Sequence, residues 1–198
     1  MRQTVDTELR HVCDKTTMQA MMDELMVSFN RGQNYHYNHY FDTEDESLLK
    51  RNITLRCRVI IEGDLKKNIF TLKIPSGEFE TFVEYTQPLS DDQMQRLVYQ
   101  NQIPDGEIKD LTAIHGGNVI KKQLIRVSRV FAPYQSLTLF FDKINVQGQT
   151  YYEMGTKLSV SPTEDLHDQK EVFYQFLKQF KQVYHPAERR SYRFLKEK

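Results

Sequence analysis

Leu55-Arg56-Cys57-Arg58-Val59 sets two guanidiniums at alternate positions of a strand-like run, and Thr71-Leu72-Lys73 adds an ammonium on the next such run. Strand side chains turn alternately to opposite faces, so Arg56 and Arg58 share one face, and Thr71 and Lys73 share a face of their own strand. Three cations converging on one surface are the chemistry of a polyanion site. The solvent side of a half-exposed sheet would show the same pattern, and these residues alone do not separate the two readings. Near the start, Val5, Thr7, Leu9 and His11 alternate with Asp6, Glu8 and Arg10, which places two acids and a base on one strand face.

Other reactive residue types carry less. His36 and His39 are three apart on a strand-like segment and so face opposite ways, which argues against a joint metal role. Cys13 and Cys57 fit neither a disulfide framework nor a CxxC metal pattern. Lysine plus arginine and aspartate plus glutamate balance at 27 each, so a polyanion site must come from local segregation of charge rather than a global field. No leader or long apolar run is present, and the chain reads as soluble and cytoplasmic, with no nucleic acid and no membrane among its expected partners.

The elements that would position these residues are mostly strands. Thr4–Val12, Tyr35–Phe41, Ile53–Ile61, Ile69–Ile74, Phe79–Thr86, Lys121–Phe131, Leu137–Val146 and Thr150–Val160 all carry strand patterns. Their connections are mostly short, with Gly63-Asp64, Pro75-Ser76-Gly77 and Gln147-Gly148-Gln149 as turns, so successive strands should pair as hairpins, and Glu80, Phe82 and Glu84 should share a face. Seven or eight antiparallel strands suffice for a closed or nearly closed sheet. Helices are expected from Met18, Met21, Met22, Leu25, Met26 and Phe29, with Thr16 and Gln19 as a capping box, and from Ser90 through Val98, with Ser90 and Gln93 as another. A third, after Pro162, carries Val172, Phe173, Phe176, Leu177 and Phe180. Asn101–Asn118 shows no clear period, and the basic end from Ala187 to Lys198 reads as a solvated terminus. With 198 residues and 39% apolar content, a single domain over 1–198 is the expectation.

Taken together, these segments resemble the CYTH domains, or triphosphate tunnel metalloenzymes, in particular their small single-domain bacterial members. Asp6-Thr7-Glu8-Leu9-Arg10 stands where the family has Glu-x-Glu-x-Lys. Asn38-His39-Tyr40-Phe41-Asp42-Thr43, then Leu55-Arg56-Cys57-Arg58, then Thr71-Leu72-Lys73, is similar to its most recognisable run. Glu84 resembles the next acidic strand position, Arg126 the single strand arginine, Asp142 the acid of a Leu-Asp strand, and Arg190 a terminal cation. Two places depart: the first motif has Asp6 and Arg10 for Glu and Lys, and the last acidic strand keeps Glu153 but has Gly155 and Lys157 where acids are expected.

The resemblance implies an α+β protein built on an eight-stranded antiparallel barrel with flanking helices, its tunnel holding a triphosphate-bearing small molecule. It further implies Mg²⁺ or Mn²⁺ held by Asp6, Glu8 and Glu153, phosphate contacts from Arg10, Arg56, Arg58, Lys73, Arg126 and Arg190, and Glu84 and Asp142 as catalytic carboxylates. A triphosphate carries several charges that Arg and Lys neutralise through multiple hydrogen bonds, and carboxylates beside it need a hard cation. The implied activity is metal-dependent hydrolysis of inorganic, nucleoside or thiamine triphosphate. A triphosphate binder with weakened catalysis is the main alternative, followed by adenylyl cyclase and a purely structural domain. The oligomeric state is open, with a homodimer among the options.

Overall fold

Alternating strands with short turns produce what they should. In the computed structural model, eight strands close into one antiparallel barrel in the order β1-β5-β4-β3-β2-β6-β7-β8. They are β1 (Arg2–Cys13), β2 (Asn34–Asp42), β3 (Thr54–Glu62), β4 (Leu65–Pro75), β5 (Thr81–Leu89), β6 (Ile120–Tyr134), β7 (Leu137–Val146) and β8 (Gln149–Leu158). Six helices accompany them among the described residues: α1 (Lys15–Glu24), α2 (Ser47–Lys50), α3 (Asp91–Gln100), α4 (Glu107–His115), α5 (Leu166–Gln179) and α6 (Arg190–Leu195). The structure describes residues 1–30, 33–77, 81–158 and 166–195. Glu80, the first residues of the strand expected from Phe79, the last of the one expected to reach Val160, and the start at Pro162 lie outside them.

By its internal packing the chain divides into two compact units. The first comprises Met1–Val5, Tyr35–Arg126 and Glu188–Lys198. In it the odd positions of β3, Leu55 and Cys57, join Phe41, Phe70 and Leu72 on a sheet face packed against Leu97 and Val98 of α3 and Ile108 of α4. The second comprises Asp6–Asn34 and Val127–Ala187. There Leu9, Leu139, Phe141 and Met154 pack against Met18, Met21 and Met22 of α1 and Phe173, Phe176 and Leu177 of α5. In each unit one sheet face is therefore committed to helices, and strand alternation turns the remaining side chains to the other face.

The starts of α1 and α3 follow side-chain capping, with one shift from expectation. Ser90 and Gln93 form the capping box of α3. At α1 the cap is Asp14, whose Oδ1 accepts from Thr17 N at 2.7 Å, so the helix begins at Lys15 and the Thr16–Gln19 box does not form. A free carboxylate is the stronger acceptor at an N-terminus whose N–H groups are otherwise unpaired. Three further helices were not expected: α2, α4 and α6. α4 follows Gly106, which makes no side-chain cap, and buries only Ile108 and Thr112, too short a stripe to show a period. α6 replaces the expected solvated terminus, burying Arg190, Ser191, Phe194 and Leu195.

Asp42 closes β2 and starts α2. Its buried carboxylate accepts from Thr43 N (2.8 Å) and Leu48 N (2.9 Å) through Oδ1 and from Leu49 N (2.9 Å) through Oδ2. A four-residue helix cannot hold itself in water, so this carboxylate supplies what propensity does not. Asp42→Ala strands three amide donors and is expected to destabilise the protein by about 2–4 kcal/mol in urea unfolding, with Asp42→Asn, which still accepts through one oxygen, in between.

Candidate functional site

Across β2, β3, β4 and β5 of the first unit, the face turned away from the helices carries the cations anticipated from alternation. Register pairs Tyr40 with Arg56 and Arg56 with Thr71, and sets Lys73 between Thr54 and Glu84. Residues directly opposite in antiparallel strands share a face, so these side chains line one surface. That surface is covered: Arg56 is 7% and Lys73 8% exposed. The solvent-facing reading of these two cations is thereby overturned.

Their partners differ. Lys73 Nζ lies 2.8 Å from Glu84 Oε2 and 5.7 Å from the centre of the Phe82 ring. Arg58 donates from Nε to Asn38 Oδ1 at 2.7 Å, and Asn38 in turn donates to the Ile125 carbonyl at 3.3 Å, which fixes the guanidinium on β3. Arg56 has no carboxylate within ion-pair distance among the described residues, and its buried Nε donates to nothing. An ion taken out of water without a partner costs several kcal/mol. Arg56 is thus a buried charge for which the described residues show no answering anion.

The C-terminal segment reaches the same region of the first unit. Ser191 Oγ and Thr54 Oγ1 lie 2.7 Å apart, and Thr54 is the register partner of Lys73. Arg190 is buried beside it. Arg189, not anticipated, stacks 3.5 Å from the centre of the same Phe82 ring and donates to the Asn52 carbonyl.

The second unit gathers the acids. Arg10 Nη2 lies 2.8 Å from Glu8 Oε1, and its Nη1 lies 3.1 Å from Glu153 Oε2 and 3.9 Å from Asp142 Oδ2. Glu153 and Asp142 are register partners, and both are wholly buried. Asp142 is further held by both arms of Arg129, Nε to Oδ1 at 2.7 Å and Nη2 to Oδ2 at 2.6 Å. Asp6 stands apart, 2.7 Å from Lys157 Nζ.

Arg129 was missed in the sequence, and Arg126 was chosen instead. The two are three apart on β6 and so take opposite faces: Arg126 is exposed, whereas buried Arg129 shares a face with Asp142. The sequence held no clear signal, since apolar residues stand at both parities: Ile125 and Val127 share Arg129's, Val130 and Ala132 share Arg126's, and all four are buried. The Phe140 ring lies under both Arg129 and Arg10, 4.0 Å from the first and 5.4 Å from the second to its centre. Phe140 and Arg10 are both register partners of Gly155, where any Cβ would run into the Leu9 carbonyl oxygen and come within 2.6 Å of Phe140 Cζ. The acid that the resemblance expects at 155 has no room.

Neither thiol is poised for chemistry. Burial pushes both Cys13 and Cys57 up to about 12; Asp14 and Glu153 add to this at Cys13, while Arg56 opposes it at Cys57. No helix among the described residues is long and apolar enough to cross a membrane.

The family model described as the CYTH domain matches residues 27–192. Among solved structures, a candidate adenylate cyclase from Bacillus halodurans is similar at 23% identity and a TM-score of 0.84, over 98% of this chain and 99% of that one. A candidate adenylyl cyclase from Hippeastrum, described as having a dominant triphosphatase activity, is similar at 18% identity and a TM-score of 0.71, over 96% and 95%. The PH1819 protein of Pyrococcus horikoshii follows at 16% and 0.68, over 98% and 99%. At these identities the likeness is one of fold. No curated protein matches the chain by sequence.

His39, opposite Cys57 in the register, is held neutral: burial, and secondarily the charge of Lys121, lowers its pKa to about 4 from the ordinary 6.5. Its Nδ1 is buried without a hydrogen-bond partner. A folded pKa below the unfolded one means that the unfolded chain takes up the extra proton. This contribution is complete above about pH 6.5 and is lost as pH falls toward 4. His39→Gln is expected to flatten the stability profile, removing about 1–2 kcal/mol of the loss between pH 7 and 5 in urea unfolding.

Proposed function

The chain belongs to the CYTH domain family, and from that premise we propose that it binds a small molecule bearing a triphosphate and hydrolyses a terminal phosphoanhydride. Members of the family are mostly triphosphatases. The observation that carries the reading for this chain is Arg56, a buried guanidinium with no counter-charge among the described residues, fixed on a strand beside Arg58 and near Lys73. Leaving such a group uncompensated makes sense when a ligand supplies the anion, and a phosphate accepts from a guanidinium through two parallel hydrogen bonds.

The residues then divide by what surrounds them. Arg56, Arg58 and Lys73 neutralise the phosphates, and their charge stabilises the one that develops as the bond breaks. Arg190 adds a further cation beside Ser191, whose hydroxyl meets Thr54 at the Lys73 end of β3. Glu84 sits against Lys73 and is the carboxylate in the cationic cluster, so it orients the attacking water and accepts its proton. Asp142 is bound by the fork of Arg129 and serves to hold that arginine rather than as a base. Arg129, rather than the exposed Arg126, is the β6 arginine with access to buried charge.

Mg²⁺ or Mn²⁺, the expected cofactor, fits this chain poorly. Asp6 is paired with Lys157, Glu8 and Glu153 with Arg10, and Asp142 with Arg129; position 155 admits no ligand. No three His, Cys, Asp or Glu side chains are grouped to hold a metal ion among the described residues. The same pairings favour a second reading, in which the protein binds a triphosphate without efficient turnover.

Phosphate release from inorganic, nucleoside and thiamine triphosphates, each with Mg²⁺, Mn²⁺ or chelator, separates the readings. Turnover of at least one is expected, and Arg56→Ala is expected to weaken tripolyphosphate binding and lower kcat/KM by about 100-fold or more. Binding without turnover would leave the second reading; neither binding nor turnover would remove both. Cyclic AMP formed from ATP would point to a cyclase instead.

A further inference from the structure

The misfit between the acids and a metal has a specific cause in Arg10. Its guanidinium touches carboxylates from three strands: Glu8 on β1, Glu153 on β8 and, more distantly, Asp142 on β7. Three acids gathered in a buried place repel one another unless a cation stands among them, and a hard divalent ion is the usual solution. Here the cation is part of the chain. A guanidinium presents five N–H groups in a flat fork and reaches two carboxylates at once, which a point-like ammonium does less well. The oxygens it gathers surround a planar group several atoms wide, whereas Mg²⁺ demands ligands at about 2.1 Å from one centre.

The surroundings hold Arg10 in that position. The Phe140 ring lies against it and against Arg129, and it fills the space over Gly155 from which a further acidic ligand would project. Lys157, two residues beyond Gly155 on β8, is turned to Asp6. Among the described ion pairs, three carboxylates (Glu8, Glu153, Asp142) face two guanidiniums (Arg10, Arg129), which offset two of their three negative charges.

We propose that Arg10 is a tethered cation taking the place of a divalent ion, so that these carboxylates bind Mn²⁺ or Mg²⁺ only weakly and triphosphate binds without either. The second half rests on the triphosphate reading above; the first half stands without it. Any metal that contributes to turnover would then enter with the phosphates rather than occupy a resident site.

Free Mn²⁺ measured by electron paramagnetic resonance during titration of the protein, without polyphosphate, tests the first half. Wild type is expected to bind in the millimolar range and Arg10→Ala to bind at least ~10-fold more tightly, because the acids then lack their cation. Circular dichroism checks that the variant is folded. Arg10→Lys, which keeps one charge but loses the fork, is expected to gain less and decides the matter if Arg10→Ala does not fold. Micromolar Mn²⁺ binding by wild type, or no gain in a folded variant, overturns the proposal.

Calorimetry with tripolyphosphate in EDTA and in Mg²⁺ tests the second half. A dissociation constant for wild type that differs by less than about threefold between the two supports it, and binding abolished by EDTA contradicts it. If tripolyphosphate binds in neither buffer, the proposed function fails, and the Mn²⁺ titration still judges Arg10.

Discussion

A buried cation with no anion beside it among the described residues is the constraint to which the rest of this structure answers. Arg56 is held on β3 with its neighbours Leu55 and Cys57 locked into the apolar core against α3, so it cannot swing its charge to solvent without breaking that packing. Other cations in the buried rows have an answer close by: Lys73 has Glu84, Arg10 has Glu8 and Glu153, and Arg129 has Asp142. The helices on the opposite faces bear on function indirectly. By committing one face of each sheet to α1, α3, α4 and α5, they fix which side chains of β1, β3, β4, β7 and β8 turn the other way.

The two units handle charge differently. In the first, cations outnumber the acid that meets them, which suits an anionic ligand. In the second, acids and arginines are nearly matched, and Gly155 is conformationally ordinary but sterically required, because β1 and Phe140 come too close for a side chain. One substitution in a motif thus travels with others: a glycine at 155, an aromatic ring at 140 and a guanidinium at 10 occupy one row of register and exclude a different arrangement together. An Arg at position 10 in place of Lys is not conservative in such a row.

Much of this was legible before any coordinates. Period-2 alternation placed Arg56 with Arg58 and Thr71 with Lys73, and turn residues gave the hairpins, because strand geometry is local. Burial was not legible: whether Arg56 lies on a wet or a covered face depends on strands far away in sequence. Arg129 was missed because two arginines three apart on β6 must face opposite ways, and alternation alone does not say which face is which. α2, α4 and α6 were missed because short helices with two to four buried residues carry no period, their stability coming from the surfaces they pack on. The pairing of Arg10 with Glu153, 143 positions apart, lies wholly in the fold.

The most direct measurement is a crystal structure of the protein with tripolyphosphate, solved in the presence of a chelator. The account predicts a phosphate oxygen within hydrogen-bond distance of the Arg56 guanidinium, with Arg10 still bridging Glu8 and Glu153. A polyphosphate bound elsewhere, with Arg56 left unpaired or turned to a carboxylate of the chain, would contradict it.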